Sequence, residues 1–423
     1  MRILMIGSGG REHALIKTLK KSPKVTEIIC APGNGGISRD AECFPIPVID
    51  KQKILELAVE RKVDLVFVAP EDPLNDGLVD LLEQHGIRAF GPNSRAAQIE
   101  ASKAFAKNLM KKYKIPTADF EVFNDPELAL GFVKQRNKYP VVVKADGLAL
   151  GKGVVICHNL AEAENAINEI MVNRIFGDSG NKVVVEEYIT GPEVSVLAFC
   201  DGNTIKPMVS AMDHKPVFDG NKGPNTGGMG TISPNPFYTE EIANECMEKI
   251  FLPTVNALKA EGRPFKGCIF FGLMLTQDGP KVVEYNCRFG DPETQVVLLR
   301  LKTDLVDIIN AVIDGELDKI NIEWDERAAA CIIMASGGYP GSYKKGLEIT
   351  GLDQNGQVEG ATVFHAGTIY DGAFKTNGGR VLGVSALGQT LDEALERAYS
   401  AVEKICFKGA HFRRDIGRVY NSR

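Results

Sequence analysis

The first hundred residues constrain the fold more than any other stretch, because short apolar runs alternate there with segments of helical spacing. Residues 2–6, 27–30, 64–69 and 87–90 read as strands, and residues 12–19, 54–61 and 78–85 as helices. Parallel strands need a crossover of a dozen residues or more, usually a helix, so the alternation predicts a doubly wound parallel sheet. From about Tyr113 the pattern changes and hairpin-like strands dominate, at 140–144, 153–157, 182–188 and 193–200. A strand pair at 267–276 and 280–286 follows, then a helix over 304–314. A last unit starts near Arg327 with a strand at 328–335 and closes with a helix over 392–406. The expected fold class is α/β in three units, 1–100, 101–325 and 326–423, the middle one carrying a β-rich lobe over about 120–190.

Composition narrows the function. A chain of 423 residues exceeds one core, in line with several domains. The formal charge of −6 supplies no basic field for nucleic acid or an anionic membrane, so a substrate phosphate must be captured by a local site. The nine cysteines include no C-x-x-C pair and several lie in apolar runs, which suits reduced, buried thiols. Neither a signal-peptide pattern nor a run of membrane-spanning length is present, so a cytoplasmic protein is expected.

Several segments bear chemistry. Gly7-Ser8-Gly9-Gly10-Arg11-Glu12 follows the first strand and opens a helix, the setting in which backbone N–H groups meet a phosphate. Glu12 replaces the third glycine of a dinucleotide fingerprint, and no ribose-binding acid follows the second strand, which argues against a nicotinamide site. A phosphate site and a plain tight turn both remain open. Lys144 ends an apolar strand before a glycine-rich loop with Gly151, Lys152 and Gly153; this is either a cover for a polyphosphate or a glycine hairpin. Glu186 and Glu187 are adjacent on a strand, so at most one faces a given pocket. Glu284 and Asn286 stand two apart on a strand and share a face, and sparse oxygen ligands of this kind suit Mg²⁺. Arg288 is next along and suits bidentate capture of a carboxylate or phosphate. The six histidines lack metal-ligand spacing.

Taken together, these motifs resemble the ATP-grasp ligases and, within them, the glycinamide ribonucleotide synthetases. The resemblance rests on Gly7-Ser-Gly-Gly-Arg-Glu-His-Ala14, Lys144-Ala-Asp-Gly-Leu-Ala, Gly151-Lys-Gly-Val154, Asp213-His-Lys215, Gly223-Pro-Asn-Thr-Gly-Gly-Met-Gly230, Glu284-Tyr-Asn-Cys-Arg-Phe-Gly-Asp-Pro-Glu-Thr-Gln295 and Gly378-Gly-Arg-Val381, in this order along essentially the whole chain. It implies a pre-ATP-grasp N-terminal domain, a two-lobed ATP-grasp domain and a small C-terminal domain. The implied reaction joins glycine to 5-phosphoribosylamine with ATP, in purine synthesis. Lys103, Lys144, Gly151, Lys152 and Gly153 would meet ATP phosphates. Glu186, Glu187, Tyr188 and Ile189 would line the adenine pocket, with Glu193 near the ribose. Glu284 and Asn286 would hold Mg²⁺ or Mn²⁺. The turn of Gly9, Gly10, Arg11 and Glu12 would sit near the phosphoribosyl group. Asp213, Lys215, Asn225, Thr226, Gly227, Gly228, Arg288 and Asp291 would position glycine or product, with Arg288, Asp213 and Lys144 as catalytic groups.

Physically, phosphorylation makes a carboxylate oxygen a leaving group and the amine attacks, so alignment and charge neutralisation suffice and no Ser, Cys or His nucleophile is assigned. The resemblance departs from the wider superfamily at Cys268-Ile-Phe-Phe-Gly-Leu-Met274, a strand with no acid where many members place a metal ligand. It ends with the chain at Arg423, so no fused domain for a later step is expected. The implied partners are small molecules, with no nucleic acid or membrane, and the implied assembly is a monomer or homodimer. Another ATP-grasp ligase, a nucleotide-dependent oxidoreductase and a non-catalytic nucleotide sensor are the alternatives.

Overall fold

The structure is a computed structural model that describes residues 1–148 and 153–418. Gly151 and Lys152 lie outside the described residues, and Gly153 is the first after them. The strand Arg2–Gly7 (β1) is buried from Ile3 onward, which explains its continuous apolar sequence: a central parallel strand is covered on both faces. It pairs in parallel with Glu27–Pro32 (β2) and Leu65–Val68 (β4). Glu42–Cys43 (β3) and Ala89–Phe90 (β5) complete the order β3-β2-β1-β4-β5. Strand order reverses between β1 and β4, so their carboxyl ends open a crevice at a topological switch point. The turn Gly7–Gly10 and Glu71 both lie there.

The predicted β-rich lobe is the antiparallel sheet β6-β9-β7-β8, from Phe120–Phe123 (β6), Val141–Ala145 (β7), Val154–Cys157 (β8) and Val183–Glu187 (β9). Its own core includes Val133, Val143, Ile167 and Val185. Strands do not dominate it as expected, since helices Pro126–Arg136 and Leu160–Ile167 cover one face. Their caps were legible: Asp125 accepts from the N–H groups of Glu127 and Leu128 with Pro126 in the first turn, and Asn159 accepts from Glu162. The apolar stripe of the first was not, because Pro126–Arg136 buries only Ala129 and Val133. Strand β9 is interior to this sheet, so Glu186 does not lie on an edge.

The second lobe is the sheet β11-β10-β16-β17, built from Glu193–Asp201 (β10), Ile205–Pro207 (β11), Lys266–Thr276 (β16) and Gly279–Asn286 (β17). A further sheet, β12-β15-β18-β22-β19, joins Met212–Asp213 (β12) and Gly230–Ser233 (β15) to Ala328–Ala335 (β18), Arg380–Gly388 (β22) and Thr362–His365 (β19). Two hairpins stand apart: Pro216–Phe218 (β13) with Lys222–Asn225 (β14), and Thr368–Tyr370 (β20) with Phe374–Thr376 (β21). The closing helix is Leu391–Val402, shorter than predicted. All nine cysteines are free thiols. Among the described residues no helix is long and apolar enough to cross a membrane.

Candidate active site

Lys144 and Glu186 face one way because of register. Lys144 pairs with Val184, two residues from Glu186, so both side chains leave the same face of the lobe. Lys144 Nζ lies 2.9 Å from Glu186 Oε2. The helix Lys103–Tyr113, capped by Ser102, closes that face and adds Lys107 Nζ at 3.2 Å from the same oxygen. Lys103 Nζ donates to the carbonyl of Gly147 (2.9 Å), while Asp146 accepts from Ser102 Oγ and the N–H of Ala104, so the root of the glycine loop is fixed to this helix. Across the loop, the N–H of Ala145 donates to the carbonyl of Gly153. Burial lowers Lys103 and Lys107 below the ordinary lysine range, Lys107 to about 8. Glu187 points the other way, toward Lys138, and Tyr188 and Ile189 follow half-buried.

Opposite them, β17 is distorted where it matters. Gly272 pairs with Glu284 but Leu273 pairs with Val282, so Val283 is the extra residue of a bulge, and its carbonyl meets Lys144 Nζ at 3.4 Å. Gly272 stands directly opposite Glu284, so the acid-free strand has no side chain there at all. Burial pushes Glu284 upward, but Lys215, Lys144, Lys103 and Arg288 outweigh it and hold the carboxyl below its usual range. Lys215 Nζ is 3.7 Å from both Glu193 and Glu284, and its pKa is raised, by Glu193 first. Among the described residues no group of three or more His, Cys, Asp or Glu is placed to hold a metal, so a cation here would depend on Glu284, Asn286, water and the phosphates of a nucleotide.

Arg288 departs from the expected free clamp. Its Nε donates to Glu71 (3.0 Å), Nη2 pairs with Glu100 (3.0 Å) and Nη1 donates to Asn286 Oδ1 (3.2 Å). Arg288 holds Glu71 down, to about 2, whereas burial raises Glu100. Glu100 also accepts from the N–H of Cys287 (2.7 Å).

At the first turn Glu12 accepts from the N–H of Gly9, and Asp291 Oδ2 accepts from the N–H of Arg11 (3.1 Å). Two donors expected to meet a phosphate are therefore engaged. A side chain at Gly7 (φ +128°) would fall 2.6 Å from Glu12 Cγ, so only glycine lets the turn close over this acid. Asp291 also pairs with Arg380 (3.3 Å), whose Nη1 reaches the carbonyls of Gly227 and Asp291. The loop 225–228 is further held by Thr226, whose hydroxyl donates to the carbonyl of Lys215 and accepts from the N–H of Gly228; Asn225 is exposed. Asp213 sits against Gly228, buried, its pKa raised by burial and by Glu293. Glu293 in turn accepts from Ser195 Oγ (3.0 Å).

The site thus gathers residues that the sequence reading left unassigned: Glu71, Glu100, Lys107, Ser195, Glu293 and Arg380. Lys107 was findable one turn from Lys103, Glu71 at the end of a parallel strand, Ser195 two along the strand from Glu193 and Glu293 within the segment 284–295; Glu100 and Arg380 meet the site through long-range packing.

Comparison with known proteins agrees along the chain. Three family models match: the phosphoribosylglycinamide synthetase N domain over residues 1–100, its ATP-grasp (A) domain over 101–294 and its C domain over 329–419. A phosphoribosylamine–glycine ligase of Caldanaerobacter subterraneus subsp. tengcongensis is 50% identical over 421 residues, covering 99% of this chain and 100% of the relative. One from Clostridium acetobutylicum is 49% identical over 419 residues, with 99% and 100% coverage. The crystal structure of phosphoribosylamine–glycine ligase from Thermotoga maritima superposes with a TM-score of 0.86 at 34% identity, covering 98% of this chain and 100% of that one. A biotin carboxylase from Campylobacter jejuni shares the fold alone, at TM-score 0.77 and 16% identity, covering 100% of this chain and 97% of that one. The chain belongs to the phosphoribosylglycinamide synthetase family of ATP-grasp ligases.

Proposed function

We propose that this enzyme joins glycine to 5-phosphoribosylamine with ATP, forming glycinamide ribonucleotide, ADP and phosphate through a glycyl phosphate. The observation that carries the reading is the set of cations around the end of β17: Lys215 lies 3.7 Å from the half-buried Glu284, Lys144 meets the carbonyl of Val283 and Arg288 donates to Asn286. Such a field suits the charge that builds on a transferring phosphoryl group. Among the described residues the buried Oε1 of Glu186 has no hydrogen-bond partner, and the amino group of adenine is a donor that fits it. Held by Glu284 and Asn286, whose oxygens fit a hard cation, Mg²⁺ or Mn²⁺ supplies charge neutralisation at the phosphates.

The chain's own groups then divide the work. Lys103 and Lys144 take the phosphates, and Glu186 with residues 187–189 takes the base, with Glu193 by the ribose. Asp213 offers a carboxylate to the ammonium end of glycine, and the loop 225–228 limits the space beside it: a side chain on Gly228 (φ +110°) would fall 2.5 Å from Asp213 Oδ1. Arg288 aligns Asn286 rather than gripping substrate freely. The turn 9–12 belongs beside the phosphoribosyl group, with Glu12 buried beneath it and its two oxygens accepting from Arg11 Nε and the N–H of Gly9. Division of the chain near residues 100 and 325, a monomeric or homodimeric state and a cytoplasmic location belong to the same proposal. The test is ADP release from ATP and Mg²⁺ with glycine, with and without freshly generated phosphoribosylamine. Release only with both, together with the mass of glycinamide ribonucleotide, is expected; release with a different acid and amine would remove the substrate assignment.

A further inference from the structure

Lys107 has no part in the reaction so described, yet it is 2% exposed, in a place where an ammonium group is costly unless it is well bonded. Its bonds are specific. The hydroxyl of Thr117 donates to the carbonyl of Val282 (2.7 Å), which leaves its lone pairs to accept from Lys107 Nζ, also at 2.7 Å. The second contact is Glu186 Oε2 at 3.2 Å, and the Phe120 ring lies 5.5 Å away. Glu186 Oε2 therefore receives two ammonium groups, while its Oε1, among the described residues, receives no donor.

The two lysines are not equivalent. Among the described residues Lys144 has only the long contact to Val283 besides Glu186, and in the proposed reaction it serves the phosphates. Lys107 has a second short bond, to Thr117, that is independent of Glu186 and of any phosphate. We infer that Lys107 is a positioning residue for selection of the nucleotide base: anchored on Thr117, it fixes Glu186 with Oε2 satisfied and Oε1 turned to the exocyclic amino group of a purine. The inference rests on the reading of this pocket as the adenine site. A bare carboxylate oxygen accepts from a 6-amino group and repels a 6-oxo group, so the arrangement selects adenine over the oxo-purines. Burial brings the Lys107 ammonium to about 8 against the opposing pull of Glu186 and Asp119 and the push of Lys144, so the clamp is charged at neutral pH and weakens in mild alkali.

The experiment compares kcat/KM for ATP with that for purine riboside triphosphate, which lacks the 6-amino group, in the wild type and in Lys107→Met. The hydrogen bond to a charged acceptor predicts a wild-type preference for ATP of about ten- to a hundredfold. In Lys107→Met the ratio is expected to fall to within about threefold, with the KM for glycine unchanged. Should the variant not fold, Thr117→Val, which removes the hydroxyl that anchors Lys107 together with its bond to the carbonyl of Val282, takes its place and is expected to lower the ratio in the same direction by less. If the wild type discriminates and the variant keeps the full ratio while losing rate with both nucleotides alike, Lys107 is merely structural and the inference is overturned. If the wild type itself does not discriminate, the adenine reading of the pocket falls, and the inference with it.

Discussion

The two sides of the site are finished to different degrees. On the side of the parallel sheet, Glu71 and Glu100 share Arg288, and Asp291 has Arg380, so the carboxylates are paired without any ligand. On the nucleotide side, two lysines crowd one oxygen of Glu186 and the other oxygen is bare. The first arrangement is a frame: it ties the end of β17 to residues 71 and 100, and the loop 225–228 to Asp291, before substrates arrive, which is what transition-state alignment demands. The second is complete only when a donor enters. Ion pairs of the framing kind add little net stability, but removing one partner leaves a buried charge alone.

Glu284 lies where the two sides meet, so it can break the comparison most severely. Glu284→Ala is expected to lower kcat by about a thousandfold while the urea unfolding midpoint stays at the wild-type value. Undiminished turnover would show that the two sides do not act through this carboxylate. Next in size is the frame itself. Arg288→Met strands Glu71 and Glu100 and is expected to cost about 3–5 kcal/mol in equilibrium unfolding, with part of the loss recovered by adding Glu100→Gln. A variant as stable as the wild type would mean that Arg288 is available to capture a substrate carboxylate or phosphate, as the sequence alone suggested.

That suggestion marks what a sequence can and cannot show here. The parallel sheet, the shared face of Glu284 and Asn286 and the inward direction of one of the two adjacent acids all follow from local periodicity, and the structure has them. Arg288 looked free because its partner Glu71 is 217 positions away, and no local pattern says which carboxylate meets which guanidinium. Arg380 was out of reach for the same reason, joining Asp291 across 89 positions. The first helix of the β-rich lobe was missed for a different cause: Pro126–Arg136 buries only Ala129 and Val133, so its apolar period was faint although its cap was present.

A smaller effect separates the frame from the pocket by pH. Glu71 titrates at about 2 in the folded protein against 4.5 for an unperturbed group. A depressed folded pKa stabilises above about pH 4.5, and that stabilisation is lost as the pH falls toward 2. Over this window the stability gap between the wild type and Glu71→Gln is expected to shrink by up to about 3 kcal/mol, read by urea melts at each pH. A gap that stays constant would detach Glu71 from Arg288.

The smallest effect is the sharpest test of the unfinished side. In Glu186→Gln the two ammonium groups of Lys107 and Lys144 would face either an amide oxygen or an amide NH₂. Charge decides: the oxygen turns to the lysines, and the NH₂ points where Oε1 was. A donor then meets the 6-amino group of adenine, also a donor, so kcat/KM for ATP is expected to drop about tenfold. The same NH₂ suits a 6-oxo group, so inosine triphosphate is expected to become the better substrate of the two. The frame is untouched by this change, and the KM for glycine should not move. If the variant instead keeps its preference for ATP, the bare oxygen is not what reads the base, and the contrast between a completed and an uncompleted side loses its chemical meaning.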